Sequence, residues 1–391
     1  MIKRSLEKEL KATAKQFPVI AVLGPRQSGK TTLVKNTFKK YTYITLEDLD
    51  KQRLAQADPR GFLEANKTKQ GLILDEVQYV PELFSYIKTF VDEHKGSGQF
   101  ILTGSQNFLL NEKISQSLAG RVAILTLLPL SIDELNRASL LPDNVESLMF
   151  SGSYPRIFDE NTSPNKWHPN YIRTYLERDV RNLKNIENLT LFQNFIALCA
   201  GRIGQVLNLT SLGDDCGITA NTVTAWLSLL ECSYIIFRLQ PHYKNFSKRL
   251  IKSPKFYFYD TGLACSLLGI TSAKELSMHY MRGNLFESFV LSECMKYQYN
   301  KDRRPNIYFW RDSQGHEIDG IIEQGLHLTP IEIKAGKTIN ASFFDGLTYW
   351  NNLSAADPQK SFLIYGGTEK QKRKGVNILG WQDLQDVFEK D

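Results

Sequence analysis

The stretch Pro18-Val19-Ile20-Ala21-Val22-Leu23-Gly24-Pro25-Arg26-Gln27-Ser28-Gly29-Lys30-Thr31 decides how the first third of the chain is read. Its first six residues carry no polar side chain, which is how a parallel strand buried on both faces reads. The next eight fit G-x-x-x-x-G-K-[ST], and Thr32-Leu33-Val34 continue as a helix. Strand, glycine-rich loop and helix in that order form a phosphate cradle. Glycines let main-chain N–H groups turn inward around phosphate oxygens, and the helix N-terminus adds a favourable dipole. Lys30 reaches the β- and γ-phosphates and the Thr31 hydroxyl binds magnesium, with Gly24, Pro25, Arg26, Gln27, Ser28, Gly29 and Thr32 completing the loop. A turn with a solvated lysine is the plainer alternative, but it would not need the flanking strand and helix.

The surrounding text agrees with an α/β start. Apolar runs at 18–23, 41–45, 71–74 and 100–103 alternate with amphipathic stretches, as in a parallel sheet covered by helices. The 391 residues predict two or three domains. Composition shifts place them at 1–135 (the phosphate-binding α/β domain), 136–268 (mainly helical) and 269–391 (a second α/β domain). With 42% apolar and 23% charged residues the chain reads as ordinary globular protein, not as collagen, coiled coil or disordered tail. The longest nearly unbroken apolar run, Val122 to Leu130, is too short to span a bilayer. The N-terminus Met1 to Glu9 mixes both charges where a secretory signal needs an apolar core, so a cytoplasmic location without membrane contact is expected. Five scattered cysteines without a C-x-x-C pair predict neither disulfides nor a thiolate zinc site. A net charge of +6 is too mild to imply nucleic acid by itself.

Further residues extend the phosphate site. Leu72-Ile73-Leu74 delivers Asp75-Glu76 to the C-terminal end of a strand, where ligands of open α/β sheets sit. Asp75 can hold the magnesium shell and Glu76 can polarise an attacking water; a surface ion pair is the simpler role for Glu76. The following strand ends in Thr103-Gly104-Ser105-Gln106, so Thr103, Ser105 and Gln106 are candidate γ-phosphate sensors or helix caps. Arg121, ahead of the run Val122 to Leu128, is a candidate arginine finger for a neighbouring copy of the chain, or an ordinary surface ion pair.

In the middle segment, Ser211 to Leu227 reads as helix, glycine turn, Thr219 cap and second helix. Tyr234–Leu239 and Phe256–Tyr259 would make a wing, joined by Lys244, Lys248, Arg249, Lys252 and Lys255. Interleaved Tyr243 and Phe246 suit phosphate and base contact, whereas Asp214 and Asp215 would repel it and favour a protein-docking role. In the last segment, Glu287 falls in a helix and Asp319, Glu332 and Lys334 on consecutive strands. D-x(n)-E-x-K on adjacent strands can bind magnesium and activate water, with Lys334 stabilising the nucleophile or the phosphate charge. An exposed charged strand face is the alternative.

Together Gly24 to Thr32, Leu74-Asp75-Glu76-Val77-Gln78, Leu102 to Ser105, Gly120-Arg121, Pro129-Leu130-Ser131, Gly152-Ser153-Tyr154-Pro155, Tyr259 to Leu263, Phe309-Trp310-Arg311 and Ile331 to Lys334 resemble one family over almost the whole length. It is the prokaryotic group of ATPases that join an AAA-type P-loop module to a C-terminal domain of unknown function. Ser153 departs from the family's Gly-Gly-Tyr-Pro. The resemblance implies ATP and Mg2+ binding, hydrolysis, and a winged-helix and restriction-endonuclease-like tail. Two readings follow: an ATPase coupled to nucleic acid such as DNA, or a signalling ATPase that docks a protein partner, either of them able to assemble as a homo-oligomer.

Overall fold

The computed structural model describes residues 2–104, 116–176, 188–242 and 252–388. By its contacts the chain divides into two compact units: Met1–Leu130 with the short pieces Cys232–Tyr234 and Gln298–Arg303, and the remainder.

The first unit is built on five parallel strands, β1 (Val19–Leu23), β2 (Thr42–Thr45), β3 (Leu72–Asp75), β4 (Phe100–Gly104) and β5 (Val122–Thr126), in the order β2-β3-β4-β1-β5. Every residue of β1 is buried, and alternation explains how. Val19, Ala21 and Leu23 enter one core with Leu83, Phe84 and Ile87, while Ile20 and Val22 enter a second with Leu33 and Val34. The order has one consequence for chemistry. β4 lies between β1 and β3, so Thr103 at its end stands between the phosphate loop and Asp75.

The second unit carries a mixed eight-stranded sheet. Its strands are β6 (Ile236–Pro241), β7 (Lys255–Phe258), β8 (Ile307–Arg311), β9 (Glu317–Gln324), β10 (His327–Lys334), β11 (Phe362–Tyr365), β12 (Gln371–Arg373) and β13 (Val376–Gly380), ordered β12-β13-β11-β10-β9-β8-β6-β7. The antiparallel run β8-β9-β10 is the meander that the alternating apolar residues predict. Trp310, Ile318, Ile321, Trp350 and Leu363 form its core with the helix Asp345–Ser354.

The middle segment does contain a helix-turn-helix pair, Leu209–Cys216 and Ala220–Cys232. Gly217 turns between them at φ +67°, and Gly213 allows a close approach, since a Cβ there would stand 2.6 Å from the Ile218 carbonyl oxygen. The strands read as a wing pair antiparallel, Ile236 opposite Phe258, but they do not stand alone. Gln240 and Pro241 pair with Tyr308 and Phe309 of β8, so β6 and β7 form one edge of the tail's sheet. Apart from Cys232–Tyr234 and Gln298–Arg303, the described residues of 136–268 and 269–391 fall in one compact unit. Ser153 also finds a role: its backbone N–H and hydroxyl donate to Asp260 Oδ2 at 2.7 and 3.1 Å, and Lys296 Nζ donates to its Oγ at 2.9 Å. This loop is a buried joint.

Candidate functional site

At the end of β1 the chain must bend away from a strand into a helix without burying a side chain against its neighbours. Gly24 has φ +151°, and a Cβ there would lie 2.1 Å from the Leu127 carbonyl oxygen. Gly29, at φ +93°, caps the helix Lys30–Thr37 in a left-handed conformation that an L side chain resists. Lys30 is buried and donates to the carbonyl oxygens of Gly24 (3.0 Å) and Pro25 (2.7 Å), which folds its ammonium over the loop. Arg4, absent from the sequence reading, is also buried and donates to the carbonyls of Ser28 and Leu128, pinning the loop from behind.

Asp75 closes the other side. The Thr31 hydroxyl lies 3.0 Å from both of its carboxylate oxygens, Tyr43 OH donates to Oδ2 at 2.8 Å, and Thr103 Oγ1 donates to Oδ1. Burial, then the hydrogen bond to Asp75 and its charge, push the Tyr43 phenol upward, so it stays a proton donor. Glu76 follows in a left-handed conformation at φ 55°, its carboxylate accepting from the Gln78 amide. Of the three sensor candidates, Thr103 touches Asp75, while Ser105 and Gln106 lie outside the described residues.

A nucleoside triphosphate with Mg2+ fits these residues. Ser28 Oγ is buried with no hydrogen-bond partner among the described residues, 3.4 Å from where a Gly24 Cβ would stand. An acceptor-rich phosphate arriving over Gly24 would supply what that hydroxyl lacks. Thr31 and Asp75 offer the hard oxygen donors that Mg2+ prefers.

Arg121 sits elsewhere. Its carbonyl oxygen accepts from Val19 N at 3.3 Å, which places it at the start of β1, roughly 15 Å of strand away from the loop. Its guanidinium holds Asp92 in two bonds, 2.5 and 3.0 Å, and the pair depresses the Asp92 carboxyl. It does not reach this chain's own phosphate loop.

The second unit gathers all four tail residues. Lys334 Nζ lies 2.5 Å from Glu332 Oε1 and 3.8 Å from Asp319 Oδ2, and Ile333 N donates to Asp319 Oδ2 at 2.8 Å. Glu287 projects from the helix Arg282–Asn300 and brings its carboxylate near Asp319. Three residues that the sequence does not assign to this site join them, among them Lys255, which it places in a basic wing. Glu317 shares the Asp319 face of β9, and oxygens of Glu287, Glu317 and Asp319 lie within 4.8 Å of one another. Lys255 Nζ stands 3.3 Å from Glu287 Oε1 and in closer contact with Glu317 Oε1, and Tyr257 OH donates to Glu287 at 2.5 Å. The repeats Glu317-x-Asp319 and Lys255-x-Tyr257, at strand period, were the available signal.

Burial first, then repulsion from Asp319, pushes Glu332 up to about 8. Glu287 rises to about 7 mainly through burial, with Asp319 and Glu317 opposing the relief from Lys255 and Tyr257. Burial works against the Lys255 charge, but Glu287, Glu317 and Asp319 outweigh it and hold the ammonium above the usual lysine value. Lys255 is 3% exposed, so it cannot serve as a free phosphate contact of a basic wing. Lys244, Lys248 and Arg249, with Tyr243 and Phe246, lie outside the described residues, and Lys252 is exposed.

A buried glycine loop after β1, a buried acid after β3 and the order β2-β3-β4-β1-β5 define a P-loop nucleotide-binding domain, and residues 16–136 match the family model described as AAA domain. Two further models match: Domain of unknown function (DUF8612) over 142–274 and Domain of unknown function (DUF4143) over 282–384. An uncharacterized protein of Mycobacterium tuberculosis is 30% identical over 87% of this chain and 75% of its own length. One from Haemophilus influenzae is 21% identical over 92% of each. The chain belongs to the family of the mycobacterial protein, an AAA-type P-loop ATPase domain followed by two domains of unknown function. Among solved structures it is similar to the Walker-type ATPase of Pyrococcus abyssi, 15% identical over 68% of this chain and 96% of that one with a TM-score of 0.44. It is also similar to the RuvB Holliday junction branch migration motor of Thermotoga maritima, 19% identical over 61% and 90% with a TM-score of 0.32. Among the described residues no helix is long and apolar enough to cross a membrane.

Proposed function

We propose that the chain hydrolyses ATP with Mg2+ and that its nucleotide state governs a C-terminal region acting on nucleic acid through a divalent-ion site. The observation that carries the ATPase part is the Thr31–Asp75 pair, 3.0 Å apart at the mouth of the sheet beside a glycine loop. Lys30 steadies the β- and γ-phosphates, Thr31 and Asp75 hold the ion, Glu76 orients the attacking water and Thr103 reports on the γ-phosphate through Asp75. The ion supplies charge neutralisation along the phosphate chain. In the tail, Glu287, Glu317, Asp319 and Glu332 are the ligand set and Lys334 steadies the charge on the phosphate.

The test is turnover with and without single- and double-stranded DNA. Lys30→Ala is expected to lose turnover, and Glu76→Gln to retain bound ATP while hydrolysing it about a hundredfold more slowly; full-rate hydrolysis by Glu76→Gln would remove its assigned role. Arg121 acts on a neighbouring copy of the chain, so Arg121→Ala should bind ATP and melt as the wild type does, yet turn over slowly at concentrations where copies assemble. Normal turnover there leaves Arg121 as a surface ion pair with Asp92.

The second reading, a signalling ATPase that docks a protein and ignores DNA, is favoured by one observation. Lys255, counted in the sequence among the basic residues of a wing, is buried in ion pairs with Glu287 and Glu317. The absence of any salt-dependent DNA affinity selects this reading.

A further inference from the structure

The tail carboxylates are interleaved with cations drawn from different elements. Lys334 belongs to β10 and leans on Glu332 and Asp319. Lys255 comes from β7, beyond β8 and β6 in the sheet, and sits against Glu287 and Glu317. Arg311 Nη1 is 3.2 Å from the other oxygen of Glu317. Glu287, Glu317 and Asp319 are the three groups whose oxygens lie within 4.8 Å of one another, so Lys255 stands on two of the three that a divalent ion would share.

A separate feature lies on the neighbouring strand, linked to this group through Lys334. Glu332 is 6% exposed, and its Oε2 is buried with no hydrogen-bond partner among the described residues. Its Oε1 meets Lys334, which ties it to Asp319. Beside the unpaired oxygen stands Gly346, where a Cβ would come within 2.8 Å of it and 3.0 Å of the Glu317 carbonyl oxygen. A buried carboxylate oxygen without a donor is costly. A hard cation would supply the missing partner.

We propose that Lys255 is an internal competitor for a divalent cation at Glu287, Glu317, Asp319 and Glu332, and that the ion enters by displacing its ammonium. This rests on the reading of these carboxylates as a divalent-ion site. An all-oxygen donor set suits Mg2+ or Mn2+ rather than zinc or copper. Four carboxylates set against Lys255, Lys334 and Arg311 are almost neutralised, so a doubly charged ion added on top would leave an excess of positive charge. Withdrawal of one ammonium removes that excess. Lysine suits the part, being a point charge on a flexible four-carbon stem that can swing away. The competition sets the ion affinity of the tail, and any contact that draws Lys255 off Glu287 and Glu317 raises it.

The experiment is Mn2+ titration of the full chain by calorimetry without nucleotide, on wild type, Lys255→Met, Lys255→Arg and Asp319→Asn. The proposal expects Lys255→Met to bind Mn2+ at least tenfold more tightly than wild type, Lys255→Arg no more tightly, and Asp319→Asn to lose this binding. If Lys255→Met binds as wild type does, or more weakly, while Asp319→Asn loses binding, Lys255 is no competitor and the ion site stands. If Asp319→Asn binds as wild type does, or no protein binds Mn2+, both ideas fall. Should Lys255→Met not fold, Lys255→Gln removes the ammonium while keeping an amide donor for Glu287 and Glu317. Its melting temperature must then rise more with Mn2+ than the wild type's, or the proposal is overturned.

Discussion

Asp75 is a buried acid at a strand end and the tail carboxylates are buried or half-buried, yet the two are held by opposite chemistry. Asp75 is held by three neutral hydroxyls, from Thr31, Tyr43 and Thr103. Glu287, Glu317 and Glu332 are held by the ammonium groups of Lys255 and Lys334. A hydroxyl donor fixes the direction of a carboxylate without neutralising it, so the full charge remains for a metal. An ammonium donor fixes and neutralises together, and a metal must displace it. The same residue type is therefore a ready ligand in one unit and a guarded one in the other.

The largest effect expected from this contrast is at Asp75. Asp75→Asn keeps the shape and one acceptor oxygen, turns the other into an NH2 donor, and deletes the charge. Steady-state ATP turnover should fall about a hundred- to thousandfold, with the melting temperature little changed. A variant that kept near-normal Mg2+-dependent turnover would show that the charge is not what the hydroxyls preserve.

The guarded acids predict a pH effect of the opposite kind. An ordinary glutamate in the unfolded chain titrates near 4.3, whereas Glu332 is pushed up to about 8 and Glu287 to about 7. Between those values the folded chain binds more protons than the unfolded chain, so stability falls as pH rises. The melting temperature should decline from about pH 5 to pH 8, and Glu332→Gln, which removes the proton uptake, should flatten part of that decline. Parallel curves for wild type and Glu332→Gln would mean that Glu332 is ionised at neutral pH, fully neutralised by Lys334.

The contrast also separates what could be read in the sequence from what could not. The phosphate loop is a local motif, contiguous from Gly24 to Thr32, and Asp75 ends an apolar strand; both follow from spacing alone. Asp319, Glu332 and Lys334 were legible because neighbouring strands place alternate residues on one face. Lys255 reads in the sequence as one of a run of basic residues because its partners lie 32 and 62 positions away, brought to it by the sheet order. The same limit hid Arg4, whose acceptors Ser28 and Leu128 are 24 and 124 residues distant. Strand order and sequence-distant ion pairs are set by packing across the sheet, which no window of sequence records.

The smallest effect tests the comparison most directly, at a residue the sequence did not single out. Tyr43→Phe removes one neutral donor, the 2.8 Å bond to Asp75 Oδ2, and keeps the ring that packs under the Lys35 ammonium 4.2 Å from its centroid. One hydrogen bond is worth about 1 kcal/mol, so the Mg2+ concentration for half-maximal ATP turnover should rise roughly fivefold, with the rate at saturating Mg2+ unchanged. The direction matters more than the size. If hydroxyls only orient the acid, losing one leaves Asp75 less well aimed and the ion binds more weakly. If instead the variant needs less Mg2+, the tyrosine was competing with the metal for the carboxylate, as Lys255 is proposed to do in the tail. Hydroxyl and ammonium would then differ only in degree, and the distinction between the two regions would dissolve.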